Sequence, residues 1–177
     1  MRTIRAPNCT LEPQIELHAH EMFEVLSDPA IYEFENEPPP SKAWLKQRYS
    51  RLESRGSIDG TEKWLNWVIR LPNAKLAGYV QATVLPSGSS YVAYELASRH
   101  WRKGIGTSAV QAVLEELNSI YGVHTFVAVL KAANYRSLGL LRSIGFSPAS
   151  PRQLAQHSAE PDELVMVKPS VKVQNAA

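Results

Sequence analysis

Several things are scarce in this chain, and each scarcity excludes something. Of its 177 residues only one, Cys9, is a cysteine, so no internal disulfide and no multi-cysteine metal site is available. His18 and His20 lie two residues apart and do not share a helix face; no metal is expected. No apolar run approaches the ~18 residues of a membrane span, and the first residues lack the apolar core of a secretory signal. The expectation is therefore a cytoplasmic protein with no membrane partner. Charge of one sign is also scarce. Lys and Arg number 19 against 17 Asp and Glu, a formal net charge of +2, too small to make nucleic acid the main partner. Internal repeats and low-complexity tracts are absent. What remains is the composition of a globular protein, long enough for one domain with a full core. We expect residues 1–169 to form that domain and 170–177 to be a flexible tail.

Turning to what is present, residues 8–12 read as a first strand ended by Pro13. Ala19, Met22, Phe23 and Leu26 mark one face of a helix that stops before Asp28-Pro29. Residues 31–40 form a stiff connection, with Glu33, Glu35 and Glu37 ahead of three consecutive prolines. Ser41 is placed to cap a second helix carrying Trp44, Leu45, Arg48, Tyr49 and Leu52. Three strands follow, Trp64 to Leu71, Leu76 to Leu85 and Tyr91 to Ala97, joined by connectors with turn chemistry that suit antiparallel hairpins. A long helix, a strand over Val123 to Leu130, a helix opening at Asn134 and ended by Gly145, and a strand over Leu164 to Lys168 complete the order. That order is α+β, or mixed α/β, and not a doubly wound parallel sheet.

The stretch from Tyr91 to Asn118 carries the chemistry. Between strand and helix lie Arg102-Lys103-Gly104-Ile105-Gly106-Thr107. The first N–H groups of a helix have no internal partner, and the helix dipole puts partial positive charge there. Two glycines let the backbone approach a ligand, and two basic side chains add full charge, so the loop can cradle a pyrophosphate. Gly104-x-Gly106-x-x-Ala109 formally fits a dinucleotide fingerprint, but the next strand ends Ala128-Val129-Leu130-Lys131 without the acidic residue that a ribose needs. A Walker loop is excluded because no Gly-Lys-Ser/Thr follows.

Tyr94-x-Leu96, a spacer, then Trp101-x-Lys103-Gly104-Ile105-Gly106-Thr107 and an Ala/Val/Leu helix resemble the acetyl-CoA-binding segment of the GNAT N-acetyltransferase superfamily. Trp101, and the run from Leu11-Glu12-Pro13 to Leu26-Ser27-Asp28-Pro29, are similar to its Rim-type branch of ribosomal-protein N-terminal acetyltransferases; Arg102 stands where that branch carries glycine. Asn134-x-x-Ser137 followed by Leu140-Leu141-x-x-x-Gly145-Phe146 resembles the second coenzyme motif. The resemblance spans residues 8–168. It implies a GNAT-like fold, a mostly antiparallel sheet of about six to seven strands flanked by about four helices. It also implies direct acetyl transfer from acetyl-CoA to a primary amine, at a protein N-terminus or on a small molecule. A coenzyme-binding or sensing module with little catalysis is the alternative.

On that resemblance the coenzyme contacts are Leu96, Ala97, Arg102, Lys103, Gly104, Ile105, Gly106, Thr107, Asn134 and Ser137. The strand ahead of the loop is expected to open at a bulge and offer backbone groups of Leu96 and Ala97 to the acetyl and pantetheine. Glu95 is the foremost general base, and Ser137 or Tyr135 the acid that protonates the thiolate. Tyr94, Glu35 and Glu37 are expected to meet the acceptor, the last two as a rim attracting a cation. A monomer or homodimer is compatible with all of this.

Overall fold

The computed structural model describes residues 1–34 and 36–170. In chain order the strands are β1 (Ile4–Ala6), β2 (Cys9–Pro13), β3 (Lys63–Arg70), β4 (Leu76–Val84), β5 (Ser89–Leu96), β6 (Thr125–Lys131), β7 (Ser147–Pro148) and β8 (Glu163–Pro169). The α-helices are α1 (Ala19–Leu26), α2 (Lys42–Leu52), α3 (Ile105–Tyr121), α4 (Tyr135–Ser143) and α5 (Pro151–Leu154). One sheet contains all eight strands in the order β1-β2-β3-β4-β5-β6-β8-β7. Every pairing is antiparallel except β5 with β6. The described sheet exceeds the expected six to seven strands because β1 and β7 are three and two residues long, too short to show a period. The four-residue helix α5, opened by a capping box at Ser150, was also unforeseen.

Local chemistry explains the elements. The β4–β5 hairpin turns at Gly88, whose φ of 78° is left-handed. Ser41 accepts a hydrogen bond from the Trp44 N–H at 3.1 Å and starts α2. Gly122, at φ 68°, ends α3.

Because neighbouring strand residues point to opposite faces, the sheet sorts its side chains into two layers. Leu65, Trp67, Ile69, Val80, Ala82, Val92 and Phe126 face α3 and α4 and form the main core with Ala109, Val110, Val113 and Leu117. Val68, Leu76 and Tyr79 face α1 and α2 and pack with Met22, Val25, Leu26, Leu45 and Tyr49. Each wholly buried apolar side chain contributes about 1.5–3 kcal/mol, so the inner face of α3 clamps that helix to the sheet. Its N-terminus is thereby fixed relative to the end of β5.

Candidate active site

The site begins where the sheet comes apart. β5 and β6 pair at Ser89↔Thr125, Ser90↔Phe126 and Tyr91↔Val127. Beyond that β5 stays with β4 as far as Leu96, and β6 stays with β8 as far as Lys131. The bulge expected in β5 is not there, since the β4–β5 register runs unbroken from Val84↔Ser90 to Gly78↔Leu96. Divergence of two strands, rather than an extra residue, makes the opening. A cavity of about 950 Å³ occupies it, within the range of small-molecule sites. Tyr94 and Leu96 line it from the α3/α4 face of β5, whereas Ala93 and Glu95 line it from the α1/α2 face. Adjacent residues of one strand can border one cavity only where that cavity passes through the sheet.

On the α3/α4 side, the loop before α3 supplies anion chemistry. Arg102 and Gly104 both have left-handed backbone, φ 57° and 73°; alternating handedness turns successive N–H groups to one side. No side chain caps α3. The first rung joins the Ser108 N–H to the Gly104 carbonyl at 3.0 Å, which leaves the N–H groups of Ile105, Gly106 and Thr107 ahead of it. Arg102, Gly104, Ile105, Gly106 and Thr107 all line the cavity. Lys103 does not: it is exposed and its Nζ donates to the Arg99 carbonyl at 2.8 Å. Gly106 has a second use, because a Cβ there would stand 3.1 Å from Leu140 Cδ1, so its bare backbone lets α4 approach α3.

Asn134 caps α4, its Oδ1 accepting from the Ser137 N–H at 3.1 Å. That leaves its NH₂ group for a ligand. The Tyr94 hydroxyl donates to the Ser137 carbonyl at 3.3 Å, tying β5 to α4, and burial pushes its pKa up to about 12. Tyr94 therefore meets the cavity from the α4 side, opposite Glu95. Ser137 and Tyr135 line the cavity. Tyr135 is exposed, stands edge-on to Phe34 with centroids 6.1 Å apart, and accepts from Arg136 Nη1 at 3.1 Å.

Two of the expected backbone contacts differ in availability. The Ala97 N–H is bonded to the Ala77 carbonyl at 2.9 Å, so it cannot also serve a ligand. Strand alternation then turns the Leu96 N–H to the opposite edge, toward the opening. The Leu96 carbonyl accepts from Trp101 Nε1 at 2.6 Å, which anchors the loop.

On the α1/α2 side Glu95 sits half-buried among tyrosines. Burial, and then the Glu95 charge, raise the pKa of Tyr32, Tyr49 and Tyr79, and Tyr79 is hydrogen-bonded to the Glu95 carboxylate. The acidic rim is less uniform than its sequence. Glu33 is paired with Arg136, Glu37 is exposed at the cavity edge, and Glu35 lies outside the described residues.

The model of the acetyltransferase (GNAT) domain matches residues 8–147. The chain belongs to the GNAT acetyltransferase family. It is accordingly an N-acetyltransferase, with the mixed α/β GNAT fold. Ribosomal-protein-S5-alanine acetyltransferase from Vibrio fischeri superposes with a TM-score of 0.78 at 18% identity, covering 96% of this chain and 97% of that one. RimL, a ribosomal L7/L12 α-N-protein acetyltransferase in complex with coenzyme A, gives 0.78 at 15% identity over 94% and 97%. A GNAT acetyltransferase from Bacillus anthracis gives 0.74 at 15% over 94% and 98%. Identities this low establish the shared fold. No curated protein sequence matches the chain.

GNAT enzymes draw on acetyl-CoA, and the residues present fit it: an uncapped helix start, left-handed turns and a cationic side chain border one cavity. Residues that sequence reading did not select also matter. Arg136 stacks on Trp101 at 4.3 Å, Phe34 at 5.0 Å and Tyr135 at 5.2 Å, and its partners come from three segments far apart in the chain. Gln14, Asn66 and Gln81 line the cavity from inside the sheet. Asn66 within Trp64-Leu65-Asn66-Trp67-Val68, and Gln81 between Val80 and Ala82, are polar breaks in apolar strands; that break was the available signal.

Proposed function

We propose that this protein transfers acetyl from acetyl-CoA directly to a primary amine, with both substrates held at once in the cavity that crosses the sheet. The observation that carries this reading is the two-sided lining: one opening receives Tyr94 and Leu96 from the coenzyme face and Glu95 from the other. A thioester approaching from α3 and an amine approaching from α1 and α2 would meet there without a covalent enzyme intermediate. Cys9 is buried in the main core, and burial raises its thiol pKa, so it is poorly suited to carry the acetyl group.

Each step has a group to perform it. The N–H groups of Ile105, Gly106 and Thr107, with Arg102, hold the pyrophosphate. The Asn134 NH₂ bonds a pantetheine carbonyl, and the Leu96 N–H polarises the thioester oxygen. Glu95 receives the ammonium and its proton. Ser137 or Tyr135 returns a proton to the leaving thiolate; the Arg136 contact would stabilise a Tyr135 phenolate. Amine pKa orders the acceptors. An α-amine near 7.8 is roughly 10–15% neutral at pH 7, whereas a lysine near 10.4 is about 0.04% neutral. An α-amine therefore needs the weaker base, and Glu95 among tyrosines suits it. Glu37 at the rim adds attraction for a cation, screened beyond about 8 Å at physiological salt.

The test is thiol release from acetyl-CoA in the presence of an amine panel, beside calorimetric coenzyme binding. Thiol release with α-amines supports transfer. Tight binding with no acceptor-dependent thiol release would overturn it in favour of a sensing module.

A further inference from the structure

The α1/α2 side of the cavity contains more polarity than an acetyl transfer requires. Strand register places Asn66 opposite Gln81 and Gln81 opposite Ala93. The Gln14 N–H donates to the Asn66 carbonyl at 2.8 Å, which extends the β2–β3 pairing by one residue. Residues opposite one another share a face, so Gln14, Asn66, Gln81 and the small Ala93 form one row across four strands, and all four line the cavity. Gln14 and Asn66 are only 2% and 4% exposed. Buried carboxamides are costly unless bonded, yet Gln14 Nε2 has no partner among the described residues, nor has the Tyr49 hydroxyl. Tyr49, 3% exposed, lines the same chamber from α2. Unbonded polar groups of this depth, facing a cavity, are free to bond a ligand or water that enters it.

We infer that the Gln14–Asn66–Gln81 row is the specificity subsite for the acceptor, reading neutral amide groups that follow the amine. This rests on the reading of Glu95 as the amine site. A carboxamide both donates and accepts, so it pairs in two directions with another amide. A chain of methylenes bonds neither group, and an ammonium can only donate, which leaves the carboxamide NH₂ groups, the unpartnered Gln14 Nε2 among them, without an acceptor. Dimensions set the reach. Strands are about 4.8 Å apart and two residues span about 7 Å. Gln81 therefore lies about 8 Å from Glu95, and Gln14 about 16 Å. An extended peptide advances about 3.3 Å per residue, so Gln81 reads the second or third residue and Gln14 the fifth. The acceptor class is an extended amide chain with a free α-amine, in preference to a polyamine of equal length or an amino sugar.

The experiment compares glycinamide, a Gly/Ala pentapeptide amide, a polyamine of matching length and an amino sugar. kcat/KM is measured for wild type, Gln14→Leu and Gln81→Leu, and calorimetric affinity for the coenzyme A-loaded protein. Wild type should favour the pentapeptide over glycinamide, and over the other two, by tenfold or more. Both variants should reduce the pentapeptide-to-glycinamide ratio to within threefold. Gln14→Leu should melt no lower than wild type, because it removes an unbonded polar group; Gln81→Leu gives the reading independently if it does not. An undiminished ratio in both variants overturns the subsite, as does preference for the polyamine or the sugar. If affinity follows the expected order but no amine is acetylated, the transferase reading fails and the subsite stands.

Discussion

Gly78 should be irreplaceable for a reason that lies one strand away. It pairs with Leu96 at the end of β5, and a Cβ built on it would stand 2.0 Å from the Glu95 carbonyl oxygen and 2.8 Å from the Leu96 Cα. Both are backbone atoms, so no rotamer change can relieve the clash. Restoring ordinary contact requires the Glu95 carbonyl to retreat by about 1.4 Å. Overpacking a core by one methyl costs about 1–3 kcal/mol when side chains can adjust; against backbone, Gly78→Ala should reach the top of that range. The displaced segment carries Glu95 and the Leu96 N–H. A misplacement of about 1 Å at a reacting group can cost 100-fold in rate. The α3 loop is anchored separately by Trp101 and Ser108. Gly78→Ala should therefore unfold at lower urea, lose about 100-fold in kcat/KM for the amine, and bind coenzyme within about threefold of wild type by calorimetry. Wild-type stability together with wild-type turnover would refute the claim that this approach sets the position of the acyl-transfer groups. Loss of coenzyme affinity equal to the loss of rate would show instead that the two sides of the cavity are not separately anchored.

Arg102→Gly should relieve about 1 kcal/mol of left-handed strain and restore about as much unfolded-chain entropy, leaving stability near wild type; coenzyme affinity should weaken two- to fivefold, about 0.4–1 kcal/mol, and lose part of its salt dependence. Arg136→Gln removes the ring contacts and the Glu33 pair, worth about 1–2 kcal/mol, so segment 29–34 should become sensitive to limited proteolysis and the acceptor KM should rise. His18 gives a pH signature. Its Nδ1 accepts from the Ile15 N–H at 3.2 Å, and burial holds its pKa below 6.5, more than offsetting Glu12 and Glu21 and acting with Arg70. The unfolded chain thus takes up the proton first, and stability should fall as pH drops below 6.5. The urea midpoint should decline from about pH 7.5 to 5.5, and His18→Asn should flatten that decline.

The α3/α4 side, which we assign to the coenzyme, was largely legible in its local structure because its information is local. Asn134 caps the helix it precedes, and the glycine loop shapes the start of α3, all within a few residues. The α1/α2 side, which we assign to the acceptor, was legible only in fragments. Glu95 can be picked out within β5, but its surroundings, Tyr32, Tyr49 and Tyr79, come from three elements that meet only after folding. Likewise, the β5 opening was expected from a bulge, a local device, and arises from the divergence of β6 toward β8, a decision made 30 or more residues later. β1 is formed by pairing with β2 and by packing Ile4 and Ala6 against the main core, and three residues carry no period of their own. Arg136 gives no sequence signal because nothing near it in the chain announces that Trp101 and Phe34 will both meet it.

The passage of one cavity through the sheet has a consequence for engineering. Along β5 the even-numbered Tyr94 and Leu96 look toward the α3/α4 face and the odd-numbered Ala93 and Glu95 toward the α1/α2 face, the faces we propose for coenzyme and acceptor. A two-residue repeat in the chain thereby becomes a division of labour between substrates. A library varying positions 14, 66, 81 and 93, one row across four neighbouring strands, would redraw the α1/α2 chamber while the other face of the sheet kept its own walls, so donor and acceptor preferences would be tuned as independent dials.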